Sequence, residues 1–338
     1  MERLAPTAAR MSTVAAARRR RLLKSVASLA LAGLVAGPVA AGEDVNLWLA
    51  RVSAAAKLHN YIGTVVYQQG PRIETSRLVH FNDRGVELEK LTSLDGPTRE
   101  VIRGQGEVRS FYPDAKVVRV EPIAFRNAFP SLSLPEQKAL AEFYELRRAE
   151  AGRVAGLEAQ AWVFEPKDGL RFGHKFWIDV GSGLLLKARV HNERGDVVEQ
   201  ISFTDLALGV PVDRALVKPS WPGTGPDWKL QRSPPNDIEM QDTGWIVNRV
   251  PPGFVKVAEG YRVLRERQDP VAHLVYSDGL TAVSVFIEKI GGAQRSIGPA
   301  QQGGINIYVR PFDDRVVTVL GEVPVAAVRQ MAHSVTRR

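Results

Sequence analysis

The sequence predicts a mainly β protein of the α+β class. A large N-terminal antiparallel sheet, curled into an unclosed half-barrel with helices on its concave face, precedes a small α+β domain. Three observations predict this. Tyr61 to Pro113 holds five strand-like runs parted by turns too short for parallel crossovers. A second set of alternating strands spans Val154 to Leu208. A Pro-rich stretch at 218–240 then separates the last strands and a final amphipathic helix from the rest.

The elements follow in order. Arg18–Lys24 is a basic run, Val26–Val39 an apolar one, and Val39-Ala40-Ala41 a small-residue cleavage site, so residues 1–41 read as a signal peptide. The apolar run is short and rich in Gly and Ala for a span of about 20 residues, which favours cleavage over anchoring. The arginines leave Sec and twin-arginine export both open. Asp44 to Asn60 reads as a helix, with Val45, Trp48, Leu49, Val52 and Ala56 on one apolar face. The meander is Ile62–Gln69, Thr75–Phe81, Val86–Thr92, Arg99–Arg103 and Val108–Tyr112, continued by Lys116–Glu121.

Pro122–Pro135 is irregular yet carries Ile123, Phe125, Phe129, Leu132 and Leu134, so it must be tucked in or cover something. Ser133-Leu134-Pro135-Glu136 opens a short helix to about Phe143. Val154–Glu165, Arg171–Val180, Leu184–His191 and Val197–Leu208 complete the large sheet. Nine or ten antiparallel strands in one sheet must curl. The large domain is thus expected at 42–217 and a linker at 218–240, where Trp221 and Trp228 argue for packing rather than a free tether. The small domain is expected at 241–338: Phe254–Tyr261, Ala272–Tyr276, Thr281–Glu288, Gly304–Pro311, Arg315–Leu320, then a helix from Pro324 to Thr336.

Composition narrows the function. The pI of 9.7 and net charge of +8 suggest nucleic acid. Residues 1–41, however, carry seven basic side chains against one acidic, so the exported chain keeps only +2 and nucleic acid is not expected. With no cysteine, thiol chemistry, disulfides and Cys-bound metals are excluded. No HExxH, GxSxG, P-loop or GxGxxG is present. His59, His80, His174, His191, His273 and His333 have no metal-ligand spacing and read as structural or surface residues. No enzyme activity, catalytic residue, metal or cofactor is expected. What remains is apolar capacity: Val65, Tyr67, Leu78, Phe111, Phe125, Phe129, Phe176 and Ile178 would face inward, as a lipid-sized cavity or as a packed core.

The stretch Leu91–Val101, with Asp95-Gly96-Pro97, followed by Phe111-Tyr112-Pro113, resembles the large domain of the RseB/MucB family. Phe176-Trp177-Ile178-Asp179 with Gly183-Leu184-Leu185-Leu186-Lys187 is similar to a hairpin of that domain. Trp245, Pro251-Pro252-Gly253-Phe254, Leu274–Leu280 and Gly321-Glu322-Val323-Pro324 resemble its C-terminal domain, so the likeness runs through nearly all of the chain after the signal. The resemblance implies a periplasmic negative regulator of a sigma-E type stress response. Such a protein binds the periplasmic domain of an RseA/MucA-like anti-sigma factor, shields it from regulated proteolysis, and is released by envelope damage. It implies a lipoprotein-carrier-like large domain and lipid or lipopolysaccharide as its signal. Trp245, Tyr276, Ser277, Asp278 and Gly279 are then the expected partner-binding residues. A lipid or lipoprotein carrier is the alternative. The sequence leaves self-association open.

Overall fold

The computed structural model describes residues 45–122, 129–130, 140–223, 225–232, 241–262, 270–290 and 296–338. The expected signal peptide, Phe125 and most of the apolar segment 122–135 lie outside them.

After helix α1 (Val45–Leu58) come β1 (Tyr61–Gln69), β2 (Arg72–Asp83), β3 (Val86–Ser93), β4 (Glu100–Gly104), β5 (Glu107–Tyr112) and β6 (Val117–Pro122). Each pairs antiparallel with the next. The short helix α2 (Leu140–Phe143) leads into β7 (Tyr144–Val154), β8 (Leu157–Pro166), β9 (Gly173–Asp179), β10 (Leu185–His191) and β11 (Val197–Leu208). β11 returns to pair with β1 and so joins the two sets. β12 (Lys229–Arg232) adds itself parallel to β6. The order is β12-β6-β5-β4-β3-β2-β1-β11-β10-β9-β8-β7, an unclosed sheet of twelve strands.

Two strands of the large sheet were not foreseen. The expected strand starting at Val154 is the hairpin β7–β8, because Ala155 and Gly156 turn the chain with φ of 48° and 83°. An alanine there carries no turn signal, since non-Gly residues seldom take positive φ. β12 lies inside the expected linker, where its four residues are too few to read as a strand.

Ladder partners share a face, so the register sorts the core. One face carries Tyr61, Val65, Leu78, Phe176 and Phe203. Val52 and Ala56 of α1 pack into its two apolar clusters, and Phe129 touches both. The opposite face carries Val79, Phe81, Ile102, Phe111 and Val118. The chain after β11 straps across that face. Val212 and Val217 cover Val79 and Phe81, and Trp221 and Trp228 cover Phe111 and Val118. Fully buried Glu100 anchors the strap: it accepts from Ser220 N (2.9 Å) and Oγ (2.7 Å) and pairs with Lys90 Nζ at 2.8 Å. At Gly223 a Cβ would stand 2.7 Å from the Phe111 ring, so only glycine lets the strap lie so close.

The small domain holds β13 (Trp245–Val247), β14 (Val255–Arg262), β15 (Val271–Ser277), β16 (Ala282–Lys289), β17 (Gly298–Gln302), β18 (Ile305–Phe312), β19 (Arg315–Gly321), α3 (Val325–His333) and β20 (Val335–Arg337). Six strands form a sheet in the order β14-β15-β16-β19-β18-β17, while β13 pairs with β20. Ala327, Val328, Met331 and Ala332 of α3 are buried against it. The helix stops before the expected Thr336. Ser334 caps Met331 O with both N and Oγ, and Arg310 takes Ala332 O and Val335 O, freeing Val335 to start β20.

Candidate functional site

The predicted inward residues divide. Val65 and Leu78 pack with Tyr61, Phe203 and Ala56; Phe176 and Ile178 pack with Val52, Tyr144 and Phe164. Phe129 bridges the clusters, its ring 5.1 Å from Phe203. Tyr67 continues this face towards the end of β1, where its hydroxyl donates to Glu199 Oε2 at 2.8 Å. Burial, then Glu199, raises the Tyr67 hydroxyl pKa. Phe111 is a correction. It pairs with Glu100 and Val118 on the other face and lies beneath the strap, not among Val65 and Leu78. The strand around it mixes polar and apolar residues on both faces, which hid the parity.

The predicted partner residues also divide. Trp245 and Tyr276 are both buried in the small-domain core with Phe254, Leu274 and Met331, and Trp245 also lines a small cleft with Tyr261 and Arg315. Removing the Tyr276 ring would therefore open that core rather than spare it. Ser277 and Gly279 form the turn, with Ser277 Oγ donating to Thr281 O (2.8 Å) and accepting from Gly279 N (3.0 Å). Asp278 turns inwards. Its Oδ1 accepts from Leu280 N and Thr281 N, both at 3.0 Å. Its Oδ2 accepts from the large domain: Tyr144 Oη at 2.8 Å and Arg171 Nη1 at 3.2 Å.

Arg171 is the residue the sequence did not single out. Its side chain is fully buried. It grips Asp168 with two hydrogen bonds (3.1 and 3.0 Å), Asp278 with a third, and donates to Pro252 O in the small domain. Phe143, Tyr144 and Phe254 rings lie 4.8–5.3 Å from its guanidinium carbon. Around it the domains exchange leucines: Leu280 enters the large-domain core and Leu170 packs against the small one. Burial raises the Asp278 carboxyl pKa, against the pull of the Thr281 amide, Tyr144 and Arg171. Gly253 lies so close to Phe143 that a Cβ would stand 2.3 Å from its ring. The signal in the sequence was a polar turn, Asp168-Gly169, ahead of Leu170-Arg171; nothing local says that such an arginine is buried.

A second polar contact crosses the same seam. Gln69 Nε2 lies 3.4 Å from Glu199 Oε2 in the large domain and 3.4 Å from Glu322 Oε1 in the small one. Burial, and then the neighbouring Glu199, pushes the Glu322 carboxyl up to about 8. Among the described residues no group of three or more His, Asp or Glu side chains could hold a metal ion.

This geometry is a sheet covered on both faces and bolted to a second domain. The profile of the MucB/RseB N-terminal domain matches residues 44–221, and that of the MucB/RseB C-terminal domain matches residues 239–336. The chain belongs to the MucB/RseB family. The sigma factor AlgU regulatory protein MucB of Pseudomonas aeruginosa is 30% identical over 313 residues, 91% of this chain and 95% of MucB. The sigma-E factor regulatory protein RseB of Salmonella typhimurium is 26% identical, over 86% of this chain and 90% of RseB. Among solved structures, MucB in complex with MucA(peri) superposes with a TM-score of 0.69 at 28% identity, covering 87% of this chain and 99% of MucB. MucB by itself gives 0.62 at 27% identity, covering 88% and 99%.

Proposed function

We propose that this chain is a periplasmic regulator of an extracytoplasmic sigma factor. It acts by binding the periplasmic region of a membrane anti-sigma factor and shielding that region from regulated proteolysis. The observation that carries this reading is the near full-length match to MucB in its complex with MucA(peri), through both domains rather than one. Nothing in the chain is assigned a catalytic step.

Lipid or lipopolysaccharide is the proposed releasing signal, received on the α1-covered face of the large sheet. Val65, Leu78, Phe176 and Ile178 form a closed apolar core there, bridged by Phe129, which a lipid would have to open. A lipid shifts the partner equilibrium only by its differential affinity for the free and bound states. The test is a titration of the purified chain with the labelled periplasmic region of the host's anti-sigma factor, with and without lipopolysaccharide. Binding that lipopolysaccharide weakens supports the whole reading. Binding that lipopolysaccharide leaves unchanged removes the sensing step. Lipid retention with no partner binding replaces the regulator by a carrier.

A further inference from the structure

The small domain carries a cleft of about 570 Å³ that no part of this reading uses. One wall is α3. Ala326, Arg329, Gln330 and His333 line it, and their spacing of three, four and seven puts them on one stripe, opposite the buried Ala327, Val328 and Met331. The other wall is Asn248 and Arg249, just past β13. Leu170 of the large domain closes one side. The volume lies within the roughly 300–1,000 Å³ usual for ligand pockets.

The charges in this cleft are all of one sign. Arg249 and Arg329 are exposed, and none of the lining residues is acidic. Among the described residues no carboxylate pairs with either guanidinium. The remaining walls are already fixed. Asn248 Nδ2 donates to Ser334 O at 2.9 Å and Thr336 Oγ1 at 2.8 Å, and His333 Nε2 lies 3.0 Å from Tyr308 Oη. Two guanidinium side chains without a carboxylate partner among the described residues thus line one cleft from two elements, together with apolar Leu170 and Ala326.

We propose that this cleft seats an acidic polypeptide segment, with Arg249 and Arg329 each gripping a carboxylate and Leu170 and Ala326 contacting an apolar side chain of the same segment. Guanidinium–carboxylate forks are strong when partly desolvated, and their placement on two elements selects two spaced charges over a single one. A trough along about two turns of helix, about 10 Å long, suits a peptide better than a compact anion. Charge complementarity also steers encounter, which makes association sensitive to salt. The proposal rests on the regulator reading for its occupant, an acidic stretch of the anti-sigma periplasmic region. Because Leu170 lies next to the seam arginine, the seated segment touches both domains.

The experiment titrates the labelled periplasmic region against the wild-type chain, R249Q/R329Q and R249K/R329K, at low and at physiological salt. Both arginines are exposed, so the variants are expected to keep the wild-type thermal midpoint. The double glutamine variant should bind at least tenfold more weakly and lose most of the salt dependence, with the lysine variant in between. Equal binding by wild type and R249Q/R329Q overturns the cleft assignment and leaves the regulator reading intact. No binding by wild type overturns both. Phosphatidylglycerol vesicles run in parallel: capture that needs Arg249 and Arg329, with partner binding unaffected by their loss, overturns the peptide in favour of a phosphate headgroup.

Discussion

The two polar contacts between the domains differ in charge logic. At one end, buried Arg171 lies between partly exposed Asp168 and buried Asp278, so opposite charges meet. At the other, Glu199 and Glu322 meet around Gln69, so like charges share a site. In the first, Arg171 works against the burial that raises the Asp278 pKa. The second keeps Glu322 inside only by favouring its protonated form. One end of the seam is thus a fixed bolt, and the other a contact whose strength follows the proton concentration.

The largest test of this contrast is Arg171→Met. It leaves the Asp278 carboxylate buried without its cation, and breaking such a pair costs about 3–5 kcal/mol. Urea unfolding should show that loss, and a change under 1 kcal/mol would mean that the aromatic rings around Arg171, not the ion pair, hold this end. Glu322 comes next. Its folded pKa of about 8 lies above the ordinary 4.5, so stability is fullest below about pH 4.5, declines as pH rises, and levels above about 8. Glu322→Gln should flatten that decline; an unchanged slope would place the alkaline sensitivity elsewhere.

The Arg171 end responds in the opposite direction through His174. This histidine is buried beside Tyr144 and Phe176, its Nε2 has no hydrogen-bond partner among the described residues, and burial holds its pKa down to about 4. The folded state binds the proton later than the unfolded chain. Stability is therefore complete above about pH 6.5 and falls by roughly 3 kcal/mol as pH drops towards 4. His174→Phe keeps the ring stack and should remove the acid limb while leaving the alkaline one; loss of both limbs together would merge the two ends into one titration. Ser277→Ala is the smallest probe. Ser277 shapes the same turn as Asp278 but bonds only within it, so its loss should cost about 1 kcal/mol. A cost near that of Arg171→Met would shift the weight from the ion pair to the turn.

The strands were largely legible because one apolar face and polar turns mark them, as in Thr75–Phe81 or Leu184–His191. Two-sided burial was not. In β5, Val108, Ser110 and Tyr112 alternate with Glu107, Arg109 and Phe111, so each face mixes polar and apolar residues and the pattern did not tell which one the strap covers. Ala155 hid a hairpin because its positive φ has no residue signature. The turn at Ser277–Gly279 carries a turn signal in Asp278-Gly279. The direction of Asp278 could not be read, since its partner Arg171 is distant in sequence and a buried arginine looks like any other. Arg249 and Arg329 belong together only once α3 and β13 are packed.

The regulator reading is tested most directly by protection. The labelled periplasmic region of the anti-sigma factor is exposed to a limiting protease, alone and with one equivalent of this chain, and the intact fraction is followed over time. The regulator reading predicts that the region survives many-fold longer when bound, and that lipopolysaccharide restores cutting. Cleavage at the same rate with and without the chain, under conditions where the two are shown to be associated, would contradict it.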